Sequence, residues 1–330
     1  MNIDIHAHII VPEILRQANP ADTWRPRVFR DEQGRQQIDH AGKVVGTTPR
    51  GFVHIEGILA EQPAAAVDIV ALSPWTSLLN WNLPPEESQR SCRVQNDSIA
   101  RIAHDHSRQV AGMGIVPLQD PGLAAKEAEY IVRELGLHAI EVGTNVNGTY
   151  LGDETLLPFW ETVAAFDTFV FVHPVAGIGG PLMQQYELWN LFGNPSETGL
   201  TTASLIFGGV LERFPLLKIC MAHGGGVLPY IIGRFDRGFQ VRPATQQAKI
   251  TRPPGTYFKQ LYFDTITHSV DALRYLIQVV GADHILLGSD YPFDMGSDRP
   301  RDLVNQLNLP SDQTQAILGA TAARLLKIKV

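Results

Sequence analysis

The feature that most constrains this chain is a series of short apolar runs, each followed by sequence with helical periodicity. Such runs are typical of parallel strands buried on both faces. They lie at residues 1–8, 67–73, 109–117, 138–142, 169–173, 217–223, 261–265 and 285–290. Eight strand–helix units predict an α/β protein, a closed (β/α)8 barrel of the TIM type. A doubly wound open sheet is the alternative, but no Gly-x-Gly-x-x-Gly turn follows the first run.

The segment between the first two runs has a different character. Residues 19–50 are rich in Pro, Gly, Arg and Asp, and short alternating pieces at 27–29 and 43–45 predict strands. We therefore expect a small β-rich insertion at about residues 15–52 within one barrel domain spanning residues 1–330. A chain of 330 residues is also long enough for two ordinary domains, but it shows no internal repeat.

The composition excludes several classes of function. The chain has 44% hydrophobic and 18% charged residues, and 27 Lys+Arg against 34 Asp+Glu give a net charge of −7 without a basic block. We therefore expect a globular enzyme with no nucleic-acid partner. No run approaches the roughly 18–20 apolar residues that span a bilayer, and no signal peptide precedes the first run. Cys92 and Cys220 suggest neither a disulfide framework nor a cysteine zinc site, so we expect a cytoplasmic protein without membrane association.

Polar residues with reactive side chains stand at the ends of several runs. His6 and His8 lie two residues apart, so both imidazoles project from the same side of a strand. His173, His223 and Asp290 end later runs, and reactive residues of such barrels lie at the C-terminal ends of strands. Each has an ordinary alternative: an exposed His-x-His pair, a histidine bonded to a backbone carbonyl, a turn before three glycines, or a helix cap. Their joint occurrence favours one shared site.

The residue types in this set suit a metal site. Three imidazoles and one carboxylate, from His6, His8, His173 and Asp290, are good ligands for one divalent ion, zinc first and manganese as the alternative. A bound metal lowers the pKa of its water towards ~7. His223 is then the candidate general acid/base, and His223 and Asp290 are the candidate catalytic residues.

With these residues placed, the motif order resembles that of the amidohydrolase superfamily (amidohydrolase-related family 2). The motifs are His-x-His at 6–8, Val-His-Pro at 172–174, His-Gly-Gly-Gly at 223–226 and Gly-Ser-Asp-Tyr-Pro-Phe at 288–293. The chain is most similar to the branch of 2-amino-3-carboxymuconate 6-semialdehyde decarboxylase and related non-oxidative decarboxylases. The similarity covers nearly the whole chain and includes residues 115–120 and 211–215.

The resemblance implies a barrel of the metal-dependent hydrolase type with one divalent metal, usually zinc, on the same four residues. It implies that His223 activates a metal-bound water, in a homodimer or higher homo-oligomer. It also implies two arginines that hold substrate carboxylates: Arg50 in the insertion and Arg234, donated across the subunit interface, occupy matching places, with Arg242 as a third candidate. The alternative for Arg234 is an ordinary surface arginine. No lysine lies at residues 141–144, which favours a single metal over a pair bridged by a carbamylated lysine.

Two further residues and one loop are candidates for substrate binding. Trp75, at the end of the second run, is placed to stack on a planar substrate or to pack under a loop. His268, after the seventh run, is placed to reach the pocket mouth, or to serve as a cap or surface residue. The aromatic loop at 177–194 is expected to cover the pocket, with a dimer contact as the alternative.

Together these observations predict a metal-dependent, O2-independent decarboxylase of an unsaturated or aromatic carboxylic acid, a small-molecule substrate of aromatic-compound catabolism. The main alternative is a metal-dependent hydrolase or hydratase acting on a lactone, an amide or an activated double bond, because one fold and ligand set serve both. A pair of arginines converging on the metal favours the decarboxylase. A metal-binding module without catalysis is the third hypothesis, and the presence of His223 argues against it.

Overall fold

Strands and helices alternate along most of the chain. The structure, a computed structural model, describes residues 1–16, 22, 24–40, 42–46, 52–175, 178–179 and 181–328. The strands are β1 (Ile3–Ile9), β2 (Arg27–Arg30), β3 (Gln36–His40), β4 (Lys43–Gly46), β5 (Ile69–Pro74), β6 (Val110–Gly112), β7 (Gly114–Ile115), β8 (Ala139–Gly143), β9 (Asn145–Val146), β10 (Thr149–Tyr150), β11 (Phe169–His173), β12 (Lys218–Met221), β13 (Tyr262–Asp264) and β14 (Ile285–Leu286). The helices are α1 (Pro12–Leu15), α2 (Ile55–Ala65), α3 (Pro85–Asp105), α4 (Pro121–Arg133), α5 (Leu157–Ala165), α6 (Asn194–Phe207), α7 (Val210–Arg213), α8 (Leu228–Val241), α9 (Pro254–Phe258), α10 (Val270–Val280), α11 (Pro300–Asn305), α12 (Ser311–Gln315) and α13 (Thr321–Leu325).

The long strands form a parallel sheet that follows the order of the chain. One part runs β1–β5–β6 and the other runs β7–β8–β11–β12–β13–β14. The two parts meet at Met113, whose N–H donates to the carbonyl of Leu72 at 2.8 Å. The predicted α/β barrel is therefore confirmed. The third predicted strand, 109–117, is wrong in one respect, because it is divided at Met113 into the short strands β6 and β7.

The sheet closes because the last strand region returns to the first. The N–H of Ile5 donates to the carbonyl of Leu287 at 2.9 Å, and the N–H of Asp290 donates to the carbonyl of His6 at 2.7 Å. The buried Asp4 carboxylate accepts the backbone N–H of Ser289 at 3.0 Å and its hydroxyl at 2.5 Å. Only residues 285–286 of the predicted eighth strand form a regular ladder, but this closure still places His6 beside Asp290.

The predicted β-rich insertion is an antiparallel sheet of β2, β3 and β4. Its outer strands were expected, whereas β3 between them and the helix α2 after the insertion were not. Nε2 of His40 on β3 lies 2.8 Å from the side-chain oxygen of Asn80, which joins the insertion to the loop after β5. The single-domain organisation stays a prediction. Among the described residues, no helix has the length and apolar character required to cross a membrane.

The helices pack on the barrel through apolar faces that local signals position. In α10, Ser269 is the N-cap and accepts the N–H of Ala272 at 3.3 Å. Leu273, Leu276 and Val280 then follow at spacings of three and four residues and are buried. Burying each such side chain contributes roughly 1.5–3 kcal/mol, so the amphipathic pattern rather than the cap supplies most of the stability of this packing.

The glycine turn after β12 gives a testable consequence of close packing. Gly226 has φ +63°, and a Cβ atom there would lie 2.0 Å from the carbonyl oxygen of Pro195. We expect Gly226→Ala to lower the free energy of unfolding by about 2 kcal/mol or more, because both the clash and the backbone conformation oppose it. Gly233→Ala in the exposed middle of α8, where nothing lies within 4 Å, is the control. Gly233→Ala should raise the free energy of unfolding by about 0.5–1 kcal/mol, measured by denaturant unfolding. Equal effects of the two substitutions would contradict the close packing at Gly226.

Candidate metal centre and acid/base site

Four potential ligand atoms converge at the C-terminal end of the barrel. They belong to His6, His8, His173 and Asp290, and they all lie within 4.8 Å of one another. His6 and His8 come from β1, His173 ends β11, and Asp290 follows β14. All four residues are buried. The structure therefore brings together the complete set that the sequence predicts.

These four atoms also lack hydrogen-bond partners within the described part of the chain. Nε2 of each of the three histidines and Oδ1 of Asp290 are buried without a hydrogen-bond partner among the described residues. Nε2 of His6 nevertheless lies only 3.2 Å from Oδ1 of Asp290. An unsatisfied buried polar atom costs about 1–3 kcal/mol, so a group of four around one point needs an explanation. Three imidazole nitrogens and a carboxylate oxygen fit one divalent cation.

The outer nitrogens of the three histidines have acceptors that orient the rings. Nδ1 of His6 lies 2.7 Å from Oδ2 of Asp264. Nδ1 of His8 faces the carbonyl of Pro74 at 3.3 Å, and Nδ1 of His173 faces the carbonyl of the next residue at 2.8 Å. A proton on each Nδ1 leaves the lone pair of Nε2 free to point into the cluster, as a ligand requires.

The electrostatics of the cluster favour a positive charge at its centre. Burial opposes the charged form of His6, but the carboxylates of Asp290 and Asp264 raise its pKa to about 10. Burial lowers the pKa of His8, and burial together with His8 holds the pKa of His173 well below its usual range. Burial favours the neutral form of Asp290, yet His6 and the other imidazoles hold its pKa well below the usual value. Without a metal, a proton on His6 therefore supplies the positive charge.

His223 lies beside the four atoms but in a different backbone setting. The sixth strand was predicted to reach residue 223, whereas β12 ends at Met221 and His223 begins a turn with φ +55°. Its Nε2 lies 3.4 Å from Oδ2 of Asp290, and its ring centroid lies 5.2 Å from that of His173. The side chain of His223 is 16% exposed, against 0% for His6. It is therefore placed to reach a molecule bound above the cluster.

An acidic residue that was not predicted from the sequence lies close to the ligands. Glu141 on β8 is fully buried, and neither carboxylate oxygen has a hydrogen-bond partner among the described residues. Its Oε1 lies 3.7 Å from Nδ1 of His8, and burial raises the pKa of the carboxyl group to about 8. A lone acid inside an apolar strand was the available signal, but residues 141–144 were considered only for a lysine.

A row of aromatic rings lies beside His8. The half-buried ring of Phe293 has its centroid 5.5 Å from that of His8 and 5.6 Å from that of Phe52. Trp75 is only 4% exposed and packs behind Phe52 at 6.1 Å. Of these three rings, that of Phe293 lies nearest to His8; it belongs to the motif at 288–293 but was not singled out. Contact of Trp75 with a substrate stays a prediction.

Three of the remaining predicted substrate residues have exposed side chains. Arg234 on α8, Arg242 and His268 are exposed. Within the described part of the chain, no hydrogen bond or ion pair joins their side chains to the four ligand atoms. Arg50 lies outside the described residues. Their roles stay predictions.

A closed parallel barrel with a mononuclear donor set at its C-terminal strand ends defines the class of metal-dependent (β/α)8-barrel enzymes. A sequence profile described as Amidohydrolase matches residues 3–328, and this chain belongs to that family. It is 35% identical over 261 residues to 2-amino-3-carboxymuconate-6-semialdehyde decarboxylase of Dictyostelium discoideum, covering 79% of this chain and 73% of the relative. The predicted resemblance to the decarboxylase branch is confirmed.

Solved structures share the fold along the whole chain. The crystal structure of 5-carboxyvanillate decarboxylase from Sphingomonas paucimobilis matches with a TM-score of 0.85 and 24% identity over 99% of both chains. Dihydroxybenzoic acid decarboxylase from Polaromonas sp. JS666, solved with manganese and the inhibitor 2-nitroresorcinol, has a TM-score of 0.81 and 22% identity, covering 99% of this chain and 96% of that one. At these identities the likeness confirms the architecture alone.

The raised pKa of His6 predicts proton release when a metal binds. At neutral pH the metal-free site holds a proton on His6, because its pKa is about 10, and a cation bound to Nε2 must displace it. Calorimetric titration of metal-free protein with Zn²⁺, in buffers of different ionisation enthalpy, should show release of about one proton per metal from this group.

Glu141→Gln is the matched control for the number of protons released per metal. Glu141 is another buried group close to the ligands, and its pKa is also raised, to about 8. Zn²⁺ binding to this variant should still release the proton of His6. Zn²⁺ binding to the variant without any proton release would contradict the assignment of the charge to His6.

Proposed function

We propose that this chain is a metal-dependent, oxygen-independent decarboxylase of an aromatic or unsaturated carboxylic acid. The observation that carries the proposal is the convergence of four ligand atoms without hydrogen-bond partners among the described residues, from His6, His8, His173 and Asp290, with the imidazole of His223 at their edge. Membership of the amidohydrolase family and the decarboxylases among its relatives support this reaction over the hydrolase or hydratase alternative.

The four residues are the proposed ligands of one divalent ion. Zinc suits the three imidazoles, and manganese is the ion present in the Polaromonas enzyme. When bound, the ion supplies positive charge that stabilises negative oxygens of the substrate. Asp264, Pro74 and the carbonyl after His173 hold the rings in the ligating orientation.

His223 is the proposed proton donor. In the reaction a proton adds to the carbon that bears the carboxylate, the carbon–carbon bond breaks, and its electron pair restores the double bond or ring as carbon dioxide leaves. A partly exposed imidazole held next to Asp290 is suited to donate this proton to a bound substrate. The buried Phe52 and half-buried Phe293 form an apolar side of the pocket that suits a planar substrate.

Arginines would hold the substrate carboxylate. A guanidinium binds a carboxylate with two parallel hydrogen bonds, which suits Arg50 and Arg234 for this task, with Arg242 as the third candidate. Because Arg234 is exposed on α8, we propose that it serves the site of a second subunit in a homodimer.

The apolar surface around α6 supports this arrangement. The π-helical segment Trp189–Gly193 and α8 both pack against α6. Large apolar side chains are exposed in this region: Leu182, Tyr186, Trp189, Leu191, Phe192 and Tyr230. An exposed cluster of this kind is typical of a protein–protein interface.

Decarboxylation by the metal-loaded protein can be tested directly. Metal-loaded protein should release carbon dioxide from at least one of the acids that its relatives act on: 2-amino-3-carboxymuconate 6-semialdehyde, 5-carboxyvanillate or a dihydroxybenzoate. His223→Gln should lower kcat by about 10²–10⁴-fold, because the proton donor is lost. His104→Gln, a change at an exposed histidine on α3, is the control and should leave kcat unchanged.

Two results would contradict this assignment. Undiminished kcat in His223→Gln would remove the role of His223. Turnover of a lactone or amide by metal-loaded protein that releases no carbon dioxide from any of the acids would favour the hydrolase alternative.

The contribution of Arg234 to the site of a second subunit can be tested by mixing variants. Arg234→Ala and His223→Gln should each be nearly inactive alone. If Arg234 acts across the interface, dissociating and reassociating equal amounts of the two variants should restore about a quarter of wild-type activity, since each heterodimer contains one intact site. Activity that stays at the level of the single variants, with heterodimers demonstrated by differential tagging, would show that Arg234 acts within its own subunit or not at all.

A further inference from the structure

The carboxylate of Asp264, the last residue of β13, has an unusually complete set of hydrogen bonds. The residue is fully buried. Its Oδ2 accepts Nδ1–H of His6 at 2.7 Å and the backbone N–H of His223 at 2.9 Å. Its Oδ1 accepts the N–H groups of Gly224 at 2.7 Å and Ile266 at 3.1 Å. One side chain therefore contacts both a proposed ligand and the turn that carries the proposed proton donor.

The bond to His6 fixes the orientation and tautomer of that imidazole. With the proton held on Nδ1, the lone pair of Nε2 points into the ligand cluster. The approach of His6 to Asp264 depends on Gly288, where a Cβ atom would lie 3.0 Å from Cβ of His6 and 3.1 Å from Cβ of Asp264. The absence of a side chain at Gly288 therefore leaves space for the contact between His6 and Asp264.

The bonds to the turn stabilise a backbone that is otherwise unfavourable. His223 has φ +55°, a conformation that costs a non-glycine residue roughly 1–2 kcal/mol. The N–H groups of His223 and Gly224 both point to Asp264, so the carboxylate holds this conformation. The same conformation directs Nε2 of His223 towards Oδ2 of Asp290, at 3.4 Å.

We propose that Asp264 is a positioning residue that fixes the metal ligand His6 and the proton donor His223 in one arrangement. This inference rests on the proposed metal site and on the proposed role of His223. Asp264 lies behind the imidazole of His6 and acts through it, as hydrogen-bond acceptors of metal-bound histidines commonly do.

Asp264→Asn is the direct test. The amide group is close in shape to the carboxylate but carries an NH2 group, and all four neighbours are donors, so either orientation of the amide places donor against donor. We expect the affinity of the folded variant for Zn²⁺, measured by competition with a chromophoric chelator, to fall about 10–100-fold.

Glu127→Gln is the matched control. Glu127 on α4 is also fully buried and accepts hydrogen bonds from Arg93 and Asn96, but these partners belong to α3 rather than to the metal cluster. Its loss should lower the free energy of unfolding and leave Zn²⁺ affinity unchanged. A merely structural role of Asp264 would give the same pattern in Asp264→Asn, and that result would overturn the inference.

A measurement on the wild-type protein keeps the test independent of whether the variant folds. In Zn²⁺-loaded protein labelled with ¹⁵N-histidine, the His6 ring should show a proton on Nδ1 with slow exchange and a downfield shift, as a short bond to a carboxylate requires. Protonation on Nε2 of His6 instead would overturn the inference. Failure of the wild-type protein to bind Zn²⁺ would overturn the metal site and this inference together, whereas unchanged binding in Asp264→Asn overturns the inference alone.

Discussion

The hydrogen bond between His6 and Asp264 joins the first strand of the barrel to the seventh, and the site depends on the closure that makes this contact possible. Closure also brings Asp290 against the backbone of His6 and ties Asp4 to Ser289. Residues from opposite ends of the chain therefore become neighbours only when the ring of strands is complete. A disturbance of this seam would change the metal ligands as well as the fold, so stability and function share one set of bonds here.

Charge is the second constraint on this region. The buried carboxylates of Asp264 and Asp290 face Nδ1 and Nε2 of His6, respectively. Buried carboxylates are costly unless a positive charge faces them. A proton on His6 supplies that charge in the metal-free protein, and a divalent ion supplies more of it. The bound metal would therefore stabilise the folded chain in addition to its chemical role, since it binds the folded state alone.

The sequence was sufficient for the barrel and for the five polar residues at its C-terminal end, because buried parallel strands leave continuous apolar runs and polar residues mark where they stop. It was insufficient where contacts between distant segments determine whether a strand or a turn forms. The strand β3 contains a single apolar residue, Ile38, and forms because it has a partner on each side. Asp264 lies in the seventh run but was not singled out, since an acid at a strand end looks the same in the sequence whether it faces solvent or a ligand. The turn at His223 is held by hydrogen bonds to Asp264. Because these bonds join distant parts of the chain, the sequence predicted a strand there instead.

The reaction class and the substrate depend on different parts of the barrel. The donor atoms come from strand ends that the whole barrel holds in place, whereas the wall above them comes from loops. Phe293 contacts His8, Phe52 contacts Phe293, and Trp75 supports Phe52 from behind. Because Phe52 lies at the end of the insertion and Trp75 follows β5, a change in either loop would move the ring beside His8 without moving the metal ligands. Such a wall lets one barrel keep its proton chemistry while the shape of the accepted acid changes.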